Sequence, residues 1–239
     1  MKYRIENIEF MNNELWHSSR VKSGDGVRAI IFDLDGTLLN TLDDLYASVS
    51  YALTSHRLEL RLKSEVRRYL GNGIRRLIEL SVPANTPAST TEEVLATFKQ
   101  YYLKHSLDLT RPYDGVVEMV HQCKQMGLKT AIVSNKVDAA VQDLHRRFFS
   151  DCIDIAIGET PDVRRKPAPD MVMKAIQQLG VDARHCVYMG DSEVDMQTAL
   201  NSGLRFIAVS WGFRDRDVLE HLNIEHIIDN PQQCFDLLS

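Results

Sequence analysis

With 239 residues, 44% of them apolar, the chain can bury a substantial core, which excludes a disordered or fibrous protein. A formal net charge of −5 without a Lys/Arg block excludes the electrostatic footprint of a nucleic-acid or anionic-membrane binder. No apolar stretch is long enough to span a bilayer and no signal-peptide pattern opens the chain, so no membrane contact and a cytoplasmic location are expected.

Residues 1–26 mix charges, Asn and scattered apolar residues without a sustained period, then end in the connector composition Ser23-Gly24-Asp25-Gly26. They are expected to form an N-terminal extension, with Ile5, Ile8, Phe10, Leu15 and Trp16 apolar enough to dock on the body. Ala29-Ile30-Ile31-Phe32 is short, β-rich and unbroken, the pattern of a strand buried on both faces. From 41 to 111 the pattern is helical. Apolar residues recur at three and four over 42–53, a second helix starts at Ser64 and closes at Gly71, and Asn72 or Gly73 opens a third over 74–80. Thr90 with Glu93 has the capping-box spacing for a fourth. No strand signal interrupts this stretch, so it reads as an all-helical insert.

From Tyr113 onward strands and helices alternate, which predicts a parallel sheet with crossover helices. Helices are expected at 116–127, 137–148, 168–179, 194–202, 217–222 and 231–238, and strands at 130–133, 153–157, 186–189, 206–209 and 224–228. The expected fold class is α/β, with a core of 27–40 and 112–239 and the helical segment 41–111 inserted into it. Cys123, Cys152, Cys186 and Cys234 are widely spaced with no C-x-x-C, which fits neither a zinc site nor a disulfide framework and suits a reducing compartment.

Chemistry concentrates at predicted strand ends, where open α/β sheets place it. Asp33 and Asp35 leave the first strand together, and two acids so close repel unless a cation or a proton intervenes. Ser134-Asn135 follows a strand and offers a hydroxyl to a phosphate oxygen, although Ser-Asn is also an ordinary turn or cap. Lys166 projects from Arg165-Lys166-Pro167-Ala168-Pro169-Asp170, where the prolines stiffen the approach; a lone lysine is usually a solvated surface group. Asp191 and Asp195 bracket the start of a helix, where acids also serve as caps against the dipole. Hard oxygens from Asp33 and Asp191 suit Mg²⁺, which takes one or two protein carboxylates alongside substrate phosphate.

Asp33-Leu34-Asp35-Gly36-Thr37-Leu38, followed in order by Ser134, by Lys166-Pro167-Ala168-Pro169-Asp170 and by Gly190-Asp191-Ser192-Glu193-Val194-Asp195, resembles the haloacid dehalogenase-like phosphatases. The resemblance covers 27–239 and implies a doubly wound, mainly parallel, Rossmann-like core whose inserted helices form a cap. It implies that Asp33 is the nucleophile, Asp35 the general acid/base, Ser134 a phosphate-oxygen donor and Lys166 the cation beside the nucleophile. By the same resemblance Asp33, Asp191 and the backbone carbonyl of Asp35 hold Mg²⁺, with Asp195 supporting the site. Asn135 is expected to contact substrate and Glu193 to be solvated.

Gly71-Asn72-Gly73 in the cap and Ser210-Trp211-Gly212-Phe213-Arg214 look most like phosphoglycolate phosphatases and their pyrophosphatase relatives. The turn of Gly71, Asn72 and Gly73 can bring backbone close to a ligand, and Arg75 would offer a guanidinium to its carboxylate. The expected activity is Mg²⁺-dependent hydrolysis of a small phosphorylated metabolite through an aspartyl-phosphate. Inorganic pyrophosphatase and phosphosugar mutase remain open as alternatives on the same core.

Overall fold

The computed structural model describes residues 26–238; the N-terminal extension, apart from Gly26, lies outside the described residues. Strand β1 (Ala29–Phe32) is fully buried. It lies between two parallel neighbours, as expected of a short run that is apolar on both faces. The chain then runs β2 (Leu39–Asn40), α1 (Leu42–Ser55), α2 (Lys63–Tyr69), α3 (Gly73–Ser81), α4 (Ala88–His105) and β3 (Arg111–Pro112). It continues through α5 (Val116–Gln125), β4 (Lys129–Val137), α6 (Asp138–Phe148), β5 (Ile155–Glu159), α7 (Asp170–Leu179) and β6 (Cys186–Gly190). The last elements are α8 (Glu193–Asn201), β7 (Arg205–Val209), α9 (Arg216–His221), β8 (Ile227–Ile228) and a 3₁₀ helix, Pro231–Leu237.

Six strands form one parallel sheet in the order β5-β4-β1-β6-β7-β8. Successive residues of β1 face opposite sides, as strand geometry requires. Ile30 and Phe32 join a cluster with Val116, Met119, Val120 and Val141 of α5 and α6. Ala29 and Ile31 join one with Met171, Val172, Ala175 and Ala199 of α7 and α8. Helices thus cover both faces of the sheet. The strand order reverses beside β1, which gathers the carboxyl ends of β1, β4 and β6 at the position where α/β sheets bind ligands.

After β1 the chain makes a tight loop in which the amides of Leu38 and Leu39 donate to the Leu34 carbonyl at 3.0 and 2.9 Å. It then enters the helical insert through a ribbon that the sequence patterning did not anticipate: β2 and β3 pair antiparallel over Leu39↔Pro112 and Asn40↔Arg111. Two residues per strand are too few to leave a periodic signal. The insert has an apolar cluster of its own, including Leu45, Val49, Leu53, Val66, Leu77, Ile78, Val94 and Phe98, into which Phe213 of the core also packs. Asp44 on α1 is buried, and its carboxylate accepts the amides of Leu109 and Thr110 at 2.9 Å and the Thr110 hydroxyl at 2.7 Å. Where the chain leaves the insert, it is therefore fastened to where it entered.

Element boundaries differ from expectation in physical ways. Helix α4 begins at Ala88 behind Pro87, two residues before the expected Thr90, because proline is at home at a helix entrance. Strand β4 runs to Val137, past the expected 133, because it bulges: Val133 pairs with Ile157, but Val137 pairs with Glu159. The expected helix over 231–238 is 3₁₀, and β8 is confined to Ile227–Ile228.

Candidate active site

The site grows from β1. Asp33, immediately after the strand, is 6% exposed. One of its oxygens accepts from Lys166 Nζ at 2.6 Å, and the same ammonium donates to Asp195 Oδ1 at 2.8 Å and the Tyr188 hydroxyl at 3.0 Å. A buried ammonium costs several kcal/mol unless its protons find partners, and here each has one. Burial works against the Lys166 charge, but Asp195 and Asp33 outweigh it and hold the group protonated well above the usual lysine range. The prolines are not its only support. The Asn135 side chain accepts the Lys166 amide at 2.8 Å and donates to the Lys166 carbonyl at 3.1 Å and to the Gly71 carbonyl at 3.2 Å. Asn135 was expected to touch substrate; it lines the cavity, and its side-chain amide grips the Lys166 segment and the cap turn.

Asp191 ends the strand–helix junction after β6, 2% exposed, with Oδ2 accepting the Phe213 amide at 2.6 Å. Two glycines make room for it. A side chain at Gly36, where φ is +94°, would come within 2.4 Å of Asp191 Oδ2, and one at Gly212 would lie 2.3 Å from Asp191 Cβ. Asp195, one helical turn on, accepts the Ser192 hydroxyl at 2.5 Å on Oδ2 and shares Oδ1 between Lys166 and Tyr188. Its oxygens are occupied, which suits a support for Lys166.

Burial raises the Asp33 carboxyl well above its usual range; Lys166 opposes this, and repulsion from Asp195 and Asp191 adds to it. Asp191 is pushed up to about 7, by burial first and by Asp195 second. The physical cause is a deficit of positive charge: one ammonium faces three buried carboxylates, each with an oxygen within 4.8 Å of the others. All the donors are hard oxygens. A divalent cation of the Mg²⁺ kind fits that set, with Asp33 and Asp191 the carboxylates that retain capacity for it.

Ser134 is buried within the bulge of β4 and, with Asp33, Asp35, Asn135, Lys166, Asp191 and Asp195, lines a cavity of about 60 Å³. Its opposite wall comes from the cap and is mostly apolar, with Leu45, Leu70, Ile74 and Leu77 beside Gly71 and Gly73. Asn72 and Arg75 are not part of that wall. Arg75 lies on the exposed face of α3 and pairs with Glu92 of α4, because a solvent-facing carboxylate stands within reach on the neighbouring helix. Glu193 is not free in solvent either: it takes a bidentate pair from Arg214 at 2.7 Å, and Arg214 Nη2 reaches the Leu70 carbonyl of the cap at 3.0 Å.

The residues that sequence reasoning passed over are Lys136, Tyr102 and Tyr188. Lys136 is 6% exposed. Its ammonium donates to Asp35 at 2.9 and 3.1 Å and to the Tyr102 hydroxyl of α4 at 2.6 Å. Burial opposes the charge, and Asp35 with Tyr102 more than restores it. A usable signal existed: Lys136 directly extends Ser134-Asn135 and is followed by Val137, so a charge sits where a strand continues.

Residues 30–209 match the family described as haloacid dehalogenase-like hydrolase. The chain is 28% identical to the N-acetylmuramic acid 6-phosphate phosphatase of Pseudomonas aeruginosa over 214 residues, 89% of this chain and 95% of that one. It is 32% identical to the phosphoglycolate phosphatase of Mesorhizobium japonicum over 80% of this chain and 86% of the relative. A crystal structure from Lactobacillus delbrueckii subsp. bulgaricus, provisionally named a phosphoglycolate phosphatase, superposes with a TM-score of 0.84 at 33% identity, covering 89% of this chain and 98% of that one.

Proposed function

Because this chain belongs to the haloacid dehalogenase-like hydrolases and is a phosphoric monoester hydrolase of that family, we propose that Asp33 is its nucleophile and a small phosphate monoester such as 2-phosphoglycolate its substrate. The observation that carries this reading is the buried pair of Asp33 and Lys166 at 2.6 Å, walled by Asp191, Asp195 and Ser134 and facing Asp35. Lys166 opposes the burial and the repulsion that raise Asp33, favouring the ionised form in which a carboxylate oxygen can attack phosphorus. Asp35 gives a proton to the leaving oxygen as the P–O bond breaks, which leaves a phosphoryl group on Asp33. A water then attacks that phosphorus while Asp35 takes its proton, releasing inorganic phosphate and restoring Asp33. Ser134 and Lys166 stabilise the equatorial oxygens throughout. Mg²⁺, when held by Asp33, Asp191 and the Asp35 carbonyl, would supply further positive charge to those oxygens.

The preference for 2-phosphoglycolate rests on the likeness to proteins named phosphoglycolate phosphatase, and the leaving group would meet the cap-side wall of Leu45, Leu70, Ile74 and Leu77. The test has two arms. Phosphate release should be measured with Mg²⁺ over 2-phosphoglycolate, N-acetylmuramic acid 6-phosphate, pyrophosphate and a sugar phosphate; 2-phosphoglycolate should give the highest kcat/KM. Asp33→Asn, nearly isosteric but a far poorer nucleophile, should lose at least a thousandfold in kcat and accumulate no acid-stable phosphoprotein. Turnover near wild type in that variant would remove the covalent step.

A further inference from the structure

Resting on the assignment of Asp35 as the proton donor, we propose that Lys136, held in place by Tyr102 of the cap, is a positioning residue for Asp35 and makes protonation of the leaving group depend on a seated cap. Three observations combine. The bulge between Val133 and Val137 breaks the alternation of β4, so Ser134, Asn135 and Lys136 are all buried, at 2%, 7% and 6% exposure. The backbone is pinned there, because the Lys136 amide donates to Ser134 Oγ at 3.2 Å. From that position the ammonium meets both oxygens of Asp35, at 2.9 and 3.1 Å.

The third observation is where the remaining support originates. Tyr102 belongs to α4, inside the cap's own apolar cluster and stacked on Phe98 with ring centroids 5.4 Å apart. Its hydroxyl accepts from Lys136 at 2.6 Å, and its ring lies 4.9 Å from the same ammonium. The Asp35 side chain is 21% exposed and follows a strand on a loop, so without Lys136 its carboxylate would be free to turn. The paired contacts from Lys136 fix the orientation of the Asp35 carboxyl group toward the cavity. Neither Lys136 nor Tyr102 is needed to hold phosphate, a task that falls to Ser134 and Lys166. Their effect is therefore expected on the proton-dependent bond cleavage.

The experiment compares an alkyl ester with an uncharged leaving group, sn-glycerol 3-phosphate, with p-nitrophenyl phosphate, whose leaving group departs without a proton. Single-turnover formation of the phosphoenzyme is measured for wild type, Lys136→Met, Lys136→Arg, Tyr102→Phe and Asp35→Asn. Lys136→Met should slow the alkyl ester about tenfold or more and the aryl ester at least fivefold less, with KM for either ester changed under threefold. Tyr102→Phe should show the same split in smaller measure, and Lys136→Arg should recover part of the alkyl rate. If Lys136→Met does not fold, Tyr102→Phe decides by the same comparison. Equal losses on both esters, or a loss confined to KM, would overturn the proposal. An alkyl/aryl split in Asp35→Asn without one in Lys136→Met or Tyr102→Phe overturns it and leaves Asp35 as the acid. No split in Asp35→Asn removes the underlying assignment instead.

Discussion

Asp191 and Lys166 occupy neighbouring places in one buried site, and their charges are resolved differently. Lys166 has a partner for every proton, whereas Asp191, pushed up to about 7, is left with more negative neighbours than it can share. In the metal-free protein this has a definite sign. A folded carboxyl with a raised pKa binds more protons than the unfolded one between the ordinary carboxylate range and that raised value, so stability falls as pH rises across the window. Tm in chelator should therefore decline from about pH 5 to about pH 8, and Mg²⁺ should restore most at the upper end, by about 2.7 kcal/mol at a hundredfold excess over its Kd. A flat or rising Tm in chelator would contradict the charge deficit. Arg75 carries the opposite lesson. Its guanidinium is half exposed and already paired, so Arg75→Ala should change kcat/KM for 2-phosphoglycolate less than about threefold, the scale of a surface ion pair. A tenfold loss confined to a carboxylate-bearing ester would return it to substrate recognition. Arg75 was a plausible reader of anions because the sequence names its residue type but not the Glu92 one helix away. Lys136 was missed for the converse reason, since lysine is ordinarily a surface residue and burial cannot be read from one letter.

Strand β4 shows how an element can hide its function. Its first half, Ala131-Ile132-Val133, is apolar and was legible; its second half carries Ser134, Asn135 and Lys136 and reads as a turn. The bulge keeps it a strand while turning all three side chains inward, and bulges leave no compositional mark of their own. The ribbon of β2 and β3 was invisible for its brevity, yet together with Asp44 it fixes both ends of the cap. Asp44→Ala would strand two amides and a hydroxyl. The expected cost is about 3 kcal/mol, or roughly 6–12 °C in Tm for a chain of this size, with faster proteolytic cleavage near 106–112. A calorimetric shift under about 2 °C with unchanged proteolysis would mean that the carboxylate is not what fastens the exit.

Across the whole molecule, the alternation of strands and helices, the helical insert and the strand-end acids were all legible, because each leaves a periodic or compositional trace. The strand order was not: no local pattern reports that β1 lies between β4 and β6, although that adjacency is what brings Asp33, Ser134 and Asp191 together. Nor were the links that stitch cap to core: Arg67 to the Gly212 carbonyl at 2.8 Å, Arg214 to Leu70, and Phe213 in the cap cluster. Cap and core are thus read separately from the chain, and their joining is a property of three dimensions. No helix among the described residues is long and apolar enough to cross a membrane.

The paired ribbon has a further meaning for ancestry. Since Leu39 and Pro112 stand opposite each other, the 41–111 segment begins and ends at one doorway, and its removal leaves two chain ends that a short turn could rejoin without disturbing a strand of the main sheet. Such a doorway lets a lineage exchange one insert for another while the carboxylates beneath stay where they are. The insert supplies the apolar wall of the cavity and the sheet its carboxylates, so a change in one need not disturb the other.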